Sequence, residues 1–253
     1  MVRPKALVLR TAGTNCDGET MHALRIAGAE PDTLHVTELL RDKKKLSQYQ
    51  ILVVPGGFSY GDDVAAGKIL ANELKFKLGP ELKEFVARKK IVIGVCNGFQ
   101  VLVKAGFLPA VEGLDFSQDA TLTQNDSGRF QCEWVPMKRE KSKAAWLKEM
   151  PARFELPIAH GEGKFVAKSG AALKELEKKG QVVFRYEGNN PNGSQNKIAG
   201  VCNAAGNVVG LMPHPERYVT HYQNPSWTRH SPEAKTPGYL FWKSAVNYAG
   251  SLS

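Results

Sequence analysis

Short apolar runs alternate with helical patterns through roughly the first hundred residues of the chain. Most of these runs have the length of strands and lack polar alternation, which is typical of strands covered on both faces of a sheet. They predict strands over Lys5–Arg10, Thr33–Val36, Ile51–Val54 and Ile91–Val95. Apolar residues at helical spacing predict helices over Met21–Ala27, Val64–Leu78, Glu81–Lys89 and Phe99–Ala105. Strands and helices in this order predict right-handed βαβ units and a parallel sheet with helices on both faces.

The pattern changes in the second half, where strand-like segments follow one another as in an antiparallel meander. These segments are Ala120–Thr123, Arg129–Val135, Phe154–Ala159, Val182–Tyr186, Lys197–Asn203 and Val208–Met212. Ala204–Asn207 is a hairpin-type turn, and Gly238–Tyr248 is predicted as a closing helix. No repeat or low-complexity linker interrupts the chain. We therefore predict a single domain over residues 1–253. Its class is α/β, a three-layer, mostly parallel sheet flanked by helices, with an antiparallel extension.

Composition places the chain among ordinary globular proteins, with 42% hydrophobic and 23% charged residues. No apolar run approaches the length that spans a bilayer, and the N-terminus lacks the apolar region of a signal peptide. The four cysteines lie far apart and form no C-x-x-C pair, which argues against zinc and dithiol motifs. We expect a cytoplasmic protein with free thiols.

The formal net charge of +9 includes clusters of lysine and arginine at 43–45, 88–90, 138–143 and 174–179. Such clusters raise the possibility of nucleic-acid binding. Most of them lie beside glutamates, however, and no aromatic stacking motif is interleaved with them. A solvated surface, or docking to an acidic partner, is favoured over specific nucleic-acid binding.

The strand predicted over Ile91–Val95 ends at Cys96, with a glycine two positions away on either side. A strand, a sharp turn at a cysteine and a helix form the thiol version of the G-x-S-x-G nucleophile elbow. The start of the helix supplies free N–H groups and a positive dipole end, which favour the reactive thiolate. We expect the small neighbours to let a substrate approach the backbone. The alternative is a buried cysteine that ends a core strand.

Two histidines are each followed by a glutamate two positions later, His214 by Glu216 and His160 by Glu162. His214 follows a predicted strand, and open α/β sheets place their ligands at strand C-termini. Flanking prolines keep this segment extended, so that Glu216 can lie behind His214 and orient it as in a catalytic triad. His160 is the second candidate base, although its flanking glycines suit a loop that lines a pocket.

The segment Pro55-Gly56-Gly57 follows a predicted strand and is the natural oxyanion loop, with the amide of Asn97 as the second donor. A simple βα turn is the alternative for these glycines. Cys16 is the rival nucleophile, because it lies in a turn at a predicted helix start, but no elbow surrounds it.

Two further segments resemble ligand sites only superficially. Gly61–Lys68 resembles a P-loop but has the wrong glycine spacing and lacks serine or threonine after the lysine. Asp62-Asp63 has no further cluster of ligands nearby in sequence, so a solvated loop or a helix cap is favoured there. We predict no metal site.

Seven segments in this order resemble the class I, or triad, glutamine amidotransferases. They are Gly13–Asp17, Val54–Asp62, Gly94–Gln100, Gln124–Phe130, His160–Gly163, Asn190–Ser194 and Met212–Arg217. The resemblance covers nearly the whole chain and is strongest to members that act as glutaminase subunits in purine biosynthesis. It implies a flavodoxin-like arrangement of the sheet.

The resemblance also implies a role for each matched residue. Cys96 would be the nucleophile, His214 the base and acid, and Glu216 the partner of His214. The residues placed around the substrate glutamine are Gly56, Gly57, Asn97, Gln100, Asn125, Arg129 and Phe130. No cofactor is implied for this chain. ATP and magnesium are expected on a separate large synthetase subunit that receives the ammonia, and a small accessory subunit is expected besides.

Two other functions stay open on the residues alone. A stand-alone cysteine hydrolase, such as a peptidase or an amidase, would share the elbow and a histidine, but the segments Asn125–Phe130 and His214–Glu216 argue against it. A basic interaction module without catalysis would use the lysine clusters and would bind nucleic acid with a steep salt dependence.

Overall fold

The computed structural model describes residues 3–229, 232 and 235–252. The strands in this part of the chain are β1 (Lys5–Arg10), β2 (Glu30–His35), β3 (Ile51–Val54), β4 (Ile91–Val95), β5 (Ala120–Thr123), β6 (Gln131–Arg139), β7 (Arg153–His160), β8 (Lys164–Ala167), β9 (Val182–Tyr186), β10 (Ile198–Cys202) and β11 (Val208–Leu211). The α-helices are α1 (Asp17–Ala27), α2 (Val36–Arg41), α3 (Lys68–Lys77), α4 (Gly79–Ala87), α5 (Asn97–Lys104), α6 (Gly170–Lys178) and α7 (Pro237–Gly250).

Nine of these strands form the main sheet, in the order β2-β1-β3-β4-β11-β10-β9-β6-β7. The first five strands pair in parallel, and the last four join them through antiparallel pairings. β3, β4 and β11 are buried at every position, which explains why their sequences are apolar without alternation. The predicted α/β fold, with its parallel sheet and antiparallel extension, is confirmed.

The helices cover the sheet in two groups. α1 packs against α7 and β1, whereas α3 packs against α5, which in turn lies on β3, β4 and β11. The resulting three layers share one apolar core that extends from Ala6 to Ala249. None of the helices in the described part of the chain combines the length and the apolar character needed to cross a membrane.

The structure corrects the sequence prediction in the middle of the chain. β5 was predicted as part of the meander, but it pairs with β8 in a separate two-stranded sheet. β8, α2 and α6 were not predicted from the sequence. α6 begins at a typical N-cap, because the Ser169 side chain accepts a hydrogen bond from the Ala172 N–H.

Residues with a left-handed backbone conformation explain why α3 begins later than predicted. A helix was predicted from Val64, but α3 begins only at Lys68. Gly67 has a φ of 74° and lies just outside the helix, and Tyr60, Gly61 and Asp62 before it also have positive φ. Residues in this conformation cannot continue a right-handed helix, so the segment before Gly67 forms a folded loop instead.

Candidate active site

Cys96 lies in a sharp turn between β4 and α5. Its φ of 50° and ψ of −106° are unusual for a residue other than glycine and mark a strained apex. The Cys96 N–H donates to the carbonyl of Leu211 on the neighbouring strand at 2.8 Å, which fixes the turn against β11. Only 6% of the residue is exposed. The backbone therefore holds the sulfur at the carboxyl end of the parallel strands, where such sheets bind ligands.

The two glycines around Cys96 serve the elbow itself. A Cβ on Gly98 would overlap the carbonyl oxygen of Val54, and one on Gly94 would lie 2.6 Å from the oxygen of Gly98. The expectation that these small residues admit a substrate to the backbone is therefore wrong. They let the first turn of α5 pack directly against β3 and β4, which is the condition for so tight a turn.

His214 reaches the same region because β11 is paired with β4. The two strands run in parallel with Leu211 opposite Val95, so the chain leaves both of them at the same edge of the sheet. The His214 N–H then donates to the carbonyl of Pro157 on β7 at 2.9 Å. Residues more than a hundred positions apart in sequence are thereby brought to adjacent strand ends.

His214 and Glu216 form a buried pair, 2% and 0% exposed, with Nδ1 and Oε1 2.6 Å apart. Because a carboxylate can only accept, the proton of this bond belongs to Nδ1, which leaves Nε2 as the free base. Burial by itself lowers the pKa of His214, but the charges of Glu216 and then of Cys96 outweigh it and raise the pKa well above its ordinary value. Glu216 thus fixes the tautomer and stabilises the imidazolium.

Cys96 and His214 follow adjacent strand ends, and the charge of Cys96 is one of the causes that raise the pKa of His214. The Cys96 thiol itself donates to the carbonyl of Ala159 at 3.5 Å. Nε2 of His214 is buried and bonds to no atom in the described part of the chain. The imidazole nitrogen that a triad needs is therefore free for a substrate or for the thiol proton.

Two backbone N–H groups next to Cys96 are also free. Those of Gly57 and Asn97 donate to no acceptor among the described residues. The Asn97 side chain holds the oxyanion loop in place, because its Oδ1 accepts from the Ser59 N–H at 3.2 Å. The arrangement matches an oxyanion hole made of the residue after the nucleophile and a preceding glycine loop.

Gly56 is a point of close packing behind His214. A Cβ there would lie 2.9 Å from Cε1 of His214 and 3.0 Å from the sulfur of Cys16. Cys16 is 1% exposed, and its sulfur accepts a hydrogen bond from Arg217 at 3.1 Å. Cys16 therefore has no open approach for a substrate, unlike Cys96, whose residue lines a cavity.

The ligand atoms of Cys16, His214 and Glu216 lie within 4.8 Å of one another, which is the spacing of a possible metal site. All three are already engaged, Glu216 by His214 and Cys16 by the guanidinium of Arg217. The positive charge of Arg217 beside the sulfur opposes a bound cation. We interpret the group as the packed support of His214.

A cavity of about 160 Å³ opens beside Cys96. Its lining consists of Gly57, Phe58, Asp62, Ala66, Cys96, Gln100, Phe130, Ala159, His160, Gly161 and Glu162. Three of the residues predicted to surround the substrate line this cavity: Gly57, Gln100 and Phe130. Of the pair Asp62-Asp63, predicted as a solvated loop or a helix cap, Asp63 is exposed, while Asp62 is half-buried and also lines this cavity.

Asn125 does not line the cavity, and its side chain is used within the protein. The amide nitrogen donates to the carbonyls of Arg129 and His160, and the oxygen accepts from the Gly163 N–H and faces Nδ1 of His160. Arg129, another predicted contact, is exposed and also lies outside the lining. Asn125 therefore holds together the loops that form the cavity wall.

His160, the second candidate base, is 3% exposed and lies in the cavity wall. Burial, and to a smaller extent the charge of His214, lower the pKa of His160 to about 4. Its Nδ1 bonds to Asn125 and no carboxylate partners it among the described residues. His160 therefore stays neutral at physiological pH and lacks the orienting partner that His214 has.

The pKa of His160 predicts an acid-sensitive contribution to stability. The unfolded state binds a proton at His160 below about pH 6.5, whereas the folded state binds it only near pH 4. Stability is therefore lost as the pH falls between these values, by about 3 kcal/mol from this group. Urea unfolding at several pH values should show a shallower loss in His160→Gln. The exposed His22→Gln serves as control, and equal slopes in wild type and His160→Gln would contradict the prediction.

Comparison with known proteins places this site in a family. The CobB/CobQ-like glutamine amidotransferase domain matches residues 3–249. The phosphoribosylformylglycinamidine synthase subunit PurQ of Treponema denticola is 44% identical, over 98% of this chain and 99% of that protein. The protein of the same name from Dehalococcoides mccartyi is 40% identical, with the same coverage.

A solved structure extends the match to three dimensions. A chain in the structure of PurLQS from Thermotoga maritima superposes with a TM-score of 0.75 at 34% sequence identity, and the match covers 98% of this chain and 99% of that chain. The resemblance predicted from the sequence is confirmed. This chain belongs to the family of CobB/CobQ-like glutamine amidotransferase domains.

Proposed function

We propose that this chain is the glutaminase subunit of a phosphoribosylformylglycinamidine synthase, in purine biosynthesis. Its relatives at 44% and 40% identity carry that name, and they match it over nearly their whole length. The observation that carries the proposed chemistry is the buried pair of His214 and Glu216 beside the Cys96 elbow, at the wall of a small cavity. A nucleophile, an oriented base and two free N–H donors are the parts that acyl transfer requires.

The first half of the reaction forms a thioester. His214 takes the proton of the Cys96 thiol at Nε2, and the thiolate attacks the side-chain amide carbon of glutamine. The negative charge that develops on the amide oxygen is stabilised by the N–H groups of Gly57 and Asn97. His214 then gives its proton to the amide nitrogen, which leaves as ammonia when the C–N bond breaks.

The second half returns the enzyme to its starting state. His214 takes a proton from water, and the resulting hydroxide attacks the thioester carbonyl. The carbon–sulfur bond breaks, glutamate is released, and the Cys96 sulfur regains its proton. Glu216 stabilises the imidazolium of His214 in both halves, which agrees with the raised pKa of His214.

Ammonia released here would pass to a large synthetase subunit that binds ATP and magnesium, and a small accessory subunit would complete the assembly. The match to a chain of PurLQS supports a multisubunit setting. The segment Gly61–Lys68 offers no phosphate loop, because Asp62 folds back to accept from the Gly67 N–H at 3.2 Å. We therefore propose that the nucleotide chemistry belongs to the partner. The free cysteines support the further proposal that the complex lies in the reducing cytoplasm.

The ion pairs on the protein surface argue against the alternative function of nucleic-acid binding. Each basic cluster contains at least one residue paired with a carboxylate. These pairs are Lys43–Glu81, Arg88–Glu84, Lys138–Glu140 and Lys179–Glu112. A backbone-binding surface would leave such cations free for phosphates.

The proposal is tested by purifying the tagged chain from its own cells together with whatever remains bound. We expect a large ATP-binding partner and glutamine hydrolysis by the complex. Turnover of peptides or other amides without any turnover of glutamine would favour a stand-alone hydrolase. Tight, strongly salt-dependent binding to nucleic acid in a filter assay would favour the basic interaction module.

A further inference from the structure

The charges in the cavity wall are of one sign. Its charged side chains are the carboxylates of Asp62 and Glu162, while His160 is neutral at physiological pH. Glutamine bound here as a zwitterion would bring an α-ammonium group as well as the amide that Cys96 attacks. Carboxylates and neutral acceptors are the groups that bind an ammonium, so one of these two acids is its natural partner.

The two carboxylates differ in whether a neighbouring cation already offsets their charge. Glu162 lies 3.5 Å from the buried ammonium of Lys104. Asp62 uses only Oδ1, which accepts from the Gly67 N–H and from Nδ2 of Asn97, both at 3.2 Å. The other oxygen of Asp62 makes no hydrogen bond to the described residues. The charge of Glu162 is thus offset by Lys104, whereas Asp62 forms no ion pair with the described residues and is the carboxylate left for a bound cation.

Asp62 is also at a suitable place in the cavity. Nδ2 of Asn97 donates both to Asp62 and to Oε1 of Gln100, the residue predicted to hold the amino-acid end of glutamine. Asn97 directly follows the nucleophile. In glutamine, about 5 Å separate the amide carbon from the α-nitrogen, and a cavity of about 160 Å³ can span this length between Cys96 and Asp62.

The backbone that carries Asp62 is held in a strained form. Tyr60, Gly61 and Asp62 have φ values of 56°, 70° and 55° in succession. Such strain persists where surrounding contacts impose it, and it is concentrated at functional sites. Burial, and to a smaller extent the charge of Glu162, raise the pKa of Asp62. A cation bound beside Asp62 would stabilise the charged form of this carboxyl.

We propose that Asp62 binds the α-ammonium group of the substrate and makes the site selective for glutamine over amides that lack this group. The inference rests on the proposed function, because it assigns a specificity-determining residue to the same cavity. It accounts for the unused oxygen of Asp62 and for the acidic wall of a site whose chemistry needs no acid other than His214.

The test compares glutamine with glutaramate, which is glutamine without its α-amino group, in the complex of the tagged chain with its partner. In Asp62→Asn, kcat/KM for glutamine should fall about 10–100-fold, mainly through KM, while that for glutaramate changes little. Asp63→Asn is the matched control, because Asp63 is exposed and lies outside the cavity wall. Ammonia-dependent synthesis and the rate of Cys96 alkylation by iodoacetamide report whether the variant is folded.

Two results would overturn the inference while leaving the proposed function intact. One is an equal loss for glutamine and glutaramate in Asp62→Asn, which would show that Asp62 only holds the loop. The other is efficient hydrolysis of glutaramate by the wild-type complex, which needs no variant to measure. Failure of the wild-type complex to hydrolyse glutamine would instead refute the proposed function itself.

Discussion

Cys96→Ser is expected to lower the glutamine-dependent activity of the assembled complex by roughly a hundred-thousandfold or more. The hydroxyl of serine has a far higher pKa than a thiol, so His214 cannot generate an equivalent nucleophile, although the elbow geometry is kept. Synthesis from added ammonia should survive, because ammonia bypasses this chain. Steady-state assays with each nitrogen source would measure both activities in one preparation.

The same exchange at Cys132 is the control, since Cys132 is an exposed free thiol on β6. Cys132→Ser should retain both activities. Full glutaminase activity in Cys96→Ser would remove Cys96 from the mechanism. Loss of the ammonia-dependent activity as well would show that the substitution disturbs the complex rather than the chemistry.

Glu216→Gln is expected to have the second largest effect, a fall in kcat of about ten-thousandfold. The glutamine amide can donate to Nδ1 of His214, which would place the imidazole proton on Nε2 and remove the base. Because the charge of Glu216 raises the pKa of His214, its loss should also lower that pKa. Rates of glutamine hydrolysis and of Cys96 alkylation, each measured against pH, would show both consequences.

Glu19→Gln is the matched control for Glu216→Gln, because Glu19 is a carboxylate on the nearby surface. Glu19 pairs with Arg217 at 3.5 Å but has no contact with the imidazole. Glu19→Gln should leave kcat and the pH profiles close to those of the wild type. The assigned role of Glu216 would be wrong if Glu216→Gln kept the wild-type kcat with an unshifted alkylation profile.

The parts of the site that could be predicted from the sequence are those set by local pattern. The predicted bounds of β3, β4 and β9 agree with the structure, because each is a mostly apolar run with few polar positions. The placement of His214 near Cys96 needed one further rule, that parallel strands expose their carboxyl ends at one edge of the sheet. The pairing of β4 with β11 supplies that edge.

The parts that could not be predicted depend on contacts between distant segments. That Gly98 must lack a side chain follows from the carbonyl of Val54, some forty residues earlier. The Asn125 side chain accepts from the Gly163 N–H and donates to the carbonyl of His160, and both partners lie more than thirty residues further along the chain. The loop that places Asp62 in the cavity wall contains three successive residues with positive φ. Tyr60 and Asp62 rarely adopt this conformation, so it could not be predicted from the sequence.

The most direct measurement of the central claim is to mix the complex with glutamine, quench it in acid during turnover, and locate the glutamyl group by peptide mass spectrometry. The geometry of the elbow and of the His214–Glu216 pair predicts a thioester on the peptide that contains Cys96. A glutamyl group on Cys16, or steady glutamine hydrolysis with no acylated cysteine in either peptide, would contradict the account.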